Sequence, residues 1–572
     1  MNSFASPLAP EQRPSTRDET LPESRPSLPS ERFPLGRLPR VLRPRDLTVL
    51  CLFAVLLINN VQTVSVAGGG SLLYWTLGFL CFLVPSALVC AQLYRLFPGE
   101  GAVYLWANRA FGNFWDTFLG FFCNWWPGAI GLTVEAEAAV ASIQGLNSDW
   151  LSLPWEQGVA AILILLVAQL LSALSQRWLQ RILNVVFSAY ALMFALVGLA
   201  GLGWLLSGQP LRGDFSAQSW QLSPSSLPVL AIVTVALLGV AVPLNMGGEV
   251  VDPRRSERYL LWGTLIIIAG YLFATFGVLA VLSPAELKEP AFVSVLFSHV
   301  FGDRIGHVIS ICYYLTMLVY FVCATAAYNA MFARLLFVAG LDRRLPRALA
   351  RLNASGVPFN AMLWQTSINI IFLIVIFFIA PVVPNQELAL TVFLVVINGA
   401  SVIWDIAMIS LFLCGILLCS RHSRRLRQRW VVPPPLFYLA AVLGIILTGV
   451  AIGCTFFAGS PVPEVLNNED WGFWVLLFVL ASLTVGAIYS FLVPEAEDLA
   501  ALLPMPSSDP VVGSPLAASF PEQEVSRATA VPGALAGGPG QGRPLQGRAS
   551  HQPEPAPWPR PGSVPGPRGW KL

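Results

Sequence analysis

Charge is scarce in this chain. Asp, Glu, Lys and Arg make up 12% of its 572 residues, where a water-soluble domain carries about 25%. That deficit, beside 55% hydrophobic residues, excludes a water-soluble fold. Paired cysteines are also lacking. The nine cysteines form no CxxC pair, lie in or beside apolar runs, and have no histidine at ligand spacing. They read as small buried hydrophobes with free thiols, and no metal site is expected. No GxGxxG or GxxxxGK[ST] loop is present, and the glycines at 68–70 do not form one, which argues against an ATP-driven pump in this chain. HExxH and Ser/His/Asp arrangements are absent and the four histidines are scattered. No enzyme, cofactor or nucleic-acid partner is therefore expected. The N-terminus shows no apolar stretch of a cleaved signal ahead of the first long run, so that run is expected to serve as the insertion signal.

What is present is a succession of apolar runs between Leu47 and Val493, each close to the ~20 residues that cross a bilayer as a helix. The alternation of a membrane β-barrel is missing, so the spans are helices. The expected architecture is an all-α polytopic membrane protein of about twelve spans. They are placed at 46–66, 72–95, 114–144, 157–175, 182–206, 228–248, 259–282, 305–337, 359–380, 388–418, 435–458 and 470–493. Arginine sorts to one side of these spans: Arg37 to Arg45, Arg95 and Arg109, Arg177 and Arg181, Arg254 to Arg258, Arg334 to Arg351, and Arg421 to Arg429. The opposite loops offer only Arg212, Lys288 and Arg304, together with acids such as Asp149, Glu156, Glu286, Glu387, Glu464, Glu469 and Asp470. Basic loops stay inside, so both termini are expected in the cytoplasm, with the protein multi-pass in the cell (plasma) membrane. Residues 1–44 and 496–572 are rich in Pro, Gly, Ser and charge and read as disordered tails around a transmembrane domain at 45–495. The basic stretch from Arg32 to Arg45 is expected against anionic lipid headgroups. PAFVSVLFSHVF, residues 290–301, is too short to span and reads as a helix lying at the outer surface.

Polar residues inside the spans mark the candidate site. The first span holds Asn59, Asn60, Gln62, Thr63 and Ser65, followed by the glycines at 68–70. The sixth holds Gly239, Val240, Pro243, Asn245, Gly247 and Gly248 and ends in Glu249. Proline removes a backbone hydrogen bond and glycine loosens the helix. Broken helices near the midplane free backbone groups and half-helix dipoles to bind polar substrate. The two spans lie five apart, as a five-plus-five inverted repeat requires. Three carboxylates inside spans are candidates for carrying a coupling proton or attracting a cationic amine: Asp405, Glu135 and Glu137. Asn124, Trp125, Trp126 and Pro127 mark an expected bend, with the tryptophans in packing roles.

Four stretches carry a family resemblance. They are PSALVCAQLYRLFPGEGAVYLWANRAFG (85–112), VPLNMGGEVVDPRR (242–255), ARLLFVAGLDRRLPRALARLN (333–353) and GVPFNA (356–361). Through them residues 45–495 resemble the amino acid–polyamine–organocation (APC) superfamily of permeases, most closely the bacterial glutamate/GABA antiporter-like members. The resemblance implies a five-plus-five inverted repeat with two extra helices, and a substrate site between broken first and sixth helices. The implied function is a secondary active transporter, permease or antiporter, moving amino acids by alternating access. The alternatives are a polyamine or organic amine transporter, or a receptor or scaffold that kept the fold without transport. Expected partners are the small-molecule substrate, membrane lipids, and a coupling proton or exchanged solute. The chain departs from the family pattern at LLINNVQT (56–63), where a Gly-Ser/Ala-Gly stretch is usual. Val240 and Ala241 stand where an aromatic, often followed by an acid, is usual, and Gln92 stands where many members have Glu. No lysine lies in any span.

Overall fold

The computed structural model describes residues 28–32, 38–221, 227–252, 257–289, 291–379, 388–422, 430–457 and 468–502. Arg37, Arg254, Arg255, Arg424, Arg425, Arg427, Arg429, Pro290, Glu387, Glu464 and most of both tails lie outside the described residues. Each of the twelve expected segments is helical, wholly or in part. Among the described residues, nine helices are long and apolar enough to cross a membrane by themselves. The first segment qualifies only as a bent pair, Pro44–Val55 and Ile58–Ser65, kinked by 41°. The third and sixth do not reach that standard: one carries Glu135 and Glu137, and the other is broken. The nine are consistent with a polytopic permease and leave the expected twelve spans and the internal repeat unestablished.

The eighth helix, Asp303–Leu341, is the buried spine of the bundle. Its alanines at 324, 326, 327, 330 and 333 are buried and let neighbouring helices come close, the packing mode that lipid, lacking a hydrophobic drive between helices, requires. The fifth (Gln176–Leu206) and seventh (Glu257–Val281) helices touch backbone to backbone, since a Cβ on Gly201 would stand 2.4 Å from Gly277 Cα. A buried amide network ties the third, fourth, eighth and ninth segments. Asn329 donates to Gln169 Oε1 at 2.8 Å, Ser172 Oγ at 3.0 Å and Thr366 Oγ1 at 3.3 Å, and accepts from Gln365 Nε2 at 2.6 Å. Thr133 Oγ1 donates to Asn369 at 2.6 Å. In lipid, such groups have no water to fall back on, so the network fixes the relative placement of four helices.

Asn124 sits at an irregular point, as expected. The turn Asp116–Phe122 is π-helical, Pro127 follows inside the helix, and Asn124 Nδ2 donates to the carbonyls of Leu119 (2.8 Å) and Gly120 (3.3 Å). Trp125 stacks on Phe121 at 5.4 Å. Phe292–Phe301 forms the short helix expected there, burying Phe292, Val293, Leu296 and Phe297 along one face. Beside it, Glu286 is bonded by Ser283 and His299 and paired with Arg212 at 3.1 Å. Partial burial opposes its ionisation, yet these donors hold its carboxyl down at about 2.

Two stretches depart from the disorder expected of the tails. Residues 468–502 form one helix, which runs past the span expected to end at 493. Pro29–Arg32 forms a helical turn docked on the arginine-rich end. Ser30 donates through its amide and hydroxyl to Asp342 at 2.8 and 2.7 Å, and Arg109 grips both oxygens of Glu31 at 2.7 and 2.9 Å. Short polar contacts hold this turn where composition gave no apolar reason for order.

Candidate substrate site

The first helix ends at Val55 and restarts at Ile58. A break in mid-bundle strands carbonyls that would otherwise accept helical bonds, and here four tyrosines collect them. Tyr328 donates to Ala54 O at 3.0 Å, Tyr271 donates to Val55 O, and Leu56 O accepts from Tyr190 at 2.8 Å and Tyr320 at 3.3 Å. The Tyr271 hydroxyl also accepts from Leu57 N at 3.2 Å and Asn60 Nδ2 at 3.0 Å. Ring packing fixes these hydroxyls in place. Tyr190 stacks on Tyr320 at 3.6 Å, Phe53 on Tyr320 at 4.8 Å, and Trp75 on Tyr271 at 4.2 Å.

The sixth segment breaks against the same point. Its helix Pro228–Ala236 gives way to a turn and then to the 3-10 turns Val242–Asn245 and Gly247–Glu249. Gly239 has φ +109°, and a Cβ there would lie 2.9 Å from Ala54 O. Both facts require glycine, and together they press the two breaks together. From the third helix comes Glu135, buried, with Oε2 lacking any hydrogen-bond partner. It stands within electrostatic reach of Tyr271, Tyr320 and Tyr328.

The residues singled out from sequence therefore separate. Asn60 and Gly239 reach the paired breaks, as does Val240, buried in the turn. Asn59 and Thr63 lie on an exposed face, with Thr63 Oγ1 donating to Asn59 O at 3.0 Å. Gln62 ties the half-helix to the following outer loop, donating to Leu287 O at 3.0 Å and Glu289 O at 3.1 Å. Ser65 is buried beside a cavity of about 180 Å³ that Gly68, Asp214 and Ser219 also line. Pro243 and Asn245 are buried towards the arginine-rich end, where Gly101 N donates to Asn245 O at 2.9 Å. Asp405 is buried with both oxygens lacking partners, and no hydrogen bond or ion pair among the described residues joins it to the breaks. Glu137 is half-buried with Oε1 lacking a partner.

Sequence reasoning missed the four tyrosines. The signal available was their position, since phenols within apolar spans need acceptors, and Tyr320 and Tyr328 lie eight apart on one face of a helix. As built, the site offers carbonyls, hydroxyls and a carboxylate that suit an ammonium group. The first turn of Ile58–Ser65 adds the positive end of a half-helix, which suits a carboxylate.

Residues 47–493 match the amino acid permease family. The chain is 24% identical over 359 residues to the probable agmatine/putrescine antiporter AguD of Lactococcus lactis, covering 60% of this chain and 72% of that protein. It is 25% identical over 323 residues to the serine/threonine exchanger SteT of Bacillus subtilis, covering 53% and 68%. To the arginine/ornithine antiporter of Pseudomonas aeruginosa it is 25% identical over 296 residues, covering 49% and 58%. Most of the chain falls within one family's match, and its relatives are permeases and antiporters of this kind; the chain belongs to the amino acid permease family of the APC superfamily.

Proposed function

We propose that this multi-pass membrane protein is a secondary transporter that moves an amino acid across the plasma membrane by alternating access, by uptake or exchange. The observation that carries this reading is the meeting of two broken helices at one point, with an unpartnered buried glutamate beside the freed carbonyls. Substrate ammonium lodges between Glu135 and the carbonyls of residues 54–56, taking the place of tyrosine hydroxyls. Substrate carboxylate meets the N-terminal turn of the half-helix at Ile58. The pairing of the first and sixth segments supports the five-plus-five repeat, and the amide network supports movement of the third, fourth, eighth and ninth segments as one body. Arginine bias supports cytoplasmic termini.

A free amine or polyamine is the second reading. The relative named for agmatine and putrescine favours it, as does the absence of any arginine or lysine among the residues that bond at the break.

Glu135→Gln tests the placement. It keeps the shape and removes the charge that meets the ammonium. Losing a desolvated charge partner costs about 2–3 kcal/mol, roughly 30- to 150-fold in apparent affinity. Competition in proteoliposomes measures it; unchanged affinity in folded variant protein places the ammonium elsewhere.

A further inference from the structure

The arginine-rich end is closed by a buried ion cluster whose charges do not balance. Arg334, 1% exposed, donates through Nε and Nη2 to Glu249 Oε1 at 3.0 and 2.7 Å and through Nη1 to Ala330 O at 3.1 Å. Its guanidinium is thereby committed to Glu249. Glu100, 3% exposed, lies in the loop between the second and third segments. Its Oε2 accepts from Gly248 N at 2.8 Å, while Oε1 has no hydrogen-bond donor and stands 3.9 Å from Arg334 Nε. Glu249, fully buried, also leaves Oε2 without a donor. Two buried carboxylates share one guanidinium, and an uncompensated buried charge is strongly unfavourable.

The Glu100 side chain is itself fully buried, but its loop borders water. Glu100 lines a cavity of about 110 Å³ with Gly99, Gly247, Gly248, Ser30, Glu31 and Arg40, large enough for water. The charged groups around it are Glu249 and Arg334 on the inside, and Arg40 and the Arg109-paired Glu31 on the outside. The cavity roof is the docked turn Pro29–Arg32.

We infer that Glu100 is a proton-binding site of this gate, holding a proton while the Gly247–Glu249 turn is closed on its loop. The proton is taken from cytoplasmic water as the turn closes, balances the cluster, and supplies a donor among its orphan oxygens. When the turn parts from residues 99–101, Glu100 meets water and returns the proton there. Burial first, and Glu249 second, push its carboxyl well above the ordinary range, against the opposing pull of Arg334 and the Gly248 amide. The closed gate then binds one more proton than the open one. Closure strengthens up to tenfold per pH unit of acidification between the ordinary value near ~4.3 and the raised value, and is lost as pH rises through the raised value. If the transporter reading holds, each cycle of this gate moves a proton on and off at the cytoplasmic face.

The test needs no substrate, so its failure and that of the transport reading are distinguishable. Full-length protein in nanodiscs is titrated by infrared difference spectroscopy, with the Glu100→Gln spectrum subtracted. The expected result is a protonated-carboxyl band present only in wild type, with a midpoint at least about one unit above the ordinary glutamate value. If Glu100→Gln is not recovered, Glu100→Asp replaces it, because the shorter acid shifts both band and midpoint. Absence of the band means Glu100 is ionised throughout and overturns the inference. So does a band that sodium chloride suppresses at fixed pH where choline chloride does not, since the site then takes a metal cation.

Discussion

Replacing Tyr271 by phenylalanine removes one oxygen atom and keeps the ring that stacks on Trp75 at 4.2 Å. That oxygen serves three groups at the first-helix break: the Val55 carbonyl, the Leu57 amide and the Asn60 side chain. Without it the Val55 carbonyl has no hydroxyl donor, and Leu57 N keeps only its strained bond to Val55 O at 3.1 Å. Val55 O keeps the Leu57 amide, so the loss is of three hydrogen bonds and not of a fully orphaned carbonyl, which would cost about 1–3 kcal/mol alone; hydrogen bonds inside membrane proteins average nearer ~0.6 kcal/mol each. The expected loss is about 2 kcal/mol, a roughly 30-fold increase in local opening. Hydrogen–deuterium exchange over residues 56–60 in nanodiscs measures this. Tyr190→Phe is the internal comparison, because Leu56 O keeps its second donor, Tyr320, at 3.3 Å. It is expected to cost about half as much or less. Equal protection in wild type and Tyr271→Phe, or a larger effect from Tyr190→Phe, would refute the assignment of the tyrosines as caps of the break.

Three further substitutions probe the same framework. Gly239→Ala meets both a φ of +109° and Ala54 O at 2.9 Å; a cost of about 3 kcal/mol is expected as lowered thermal stability and lost transport, and wild-type melting would show that the two breaks do not touch. Asn329→Leu removes the side-chain bonds to Gln169, Ser172 and Gln365, leaving Gln169 only Thr366 and Gln365 Nε2 only the backbone carbonyl of residue 329, and is expected to cost about 2 kcal/mol, read as a lower melting temperature in detergent. Arg334→Met leaves Glu249 buried without its counter-charge, a loss of about 3–5 kcal/mol. Adding Glu249→Gln should restore part of the melting temperature, and failure to do so would mean that packing, not charge, holds Arg334.

The membrane class was legible because it rests on bulk hydropathy and on arginine bias, both of which survive without any contact information. The broken helices were legible in kind. Gly239 and Pro243 announce irregular backbone, and LLINNVQT announces polar groups in an apolar run. Which polar residue faces the break was not legible, because Asn59 and Asn60 are adjacent and the helix turns them to different surroundings. Only Asn60 finds Tyr271. The four tyrosines belong to the fifth, seventh and eighth helices, and their convergence is a property of packing that no local pattern reports. Glu100 escaped notice for the same reason. In sequence it is one acid in a short loop on the arginine-rich side, and only the fold closes Gly248 over it.

Counterflow in proteoliposomes tests the central claim most directly. Vesicles loaded with pooled unlabelled amino acids, and in parallel with pooled amines, are diluted into a trace of the labelled pool, with protein-free vesicles as control. The account predicts transient accumulation that excess unlabelled compound abolishes, and its loss in Asn60→Leu protein recovered at wild-type level. Verified folded wild-type protein that accumulates neither pool would contradict the transporter reading and favour a receptor or scaffold with the permease fold.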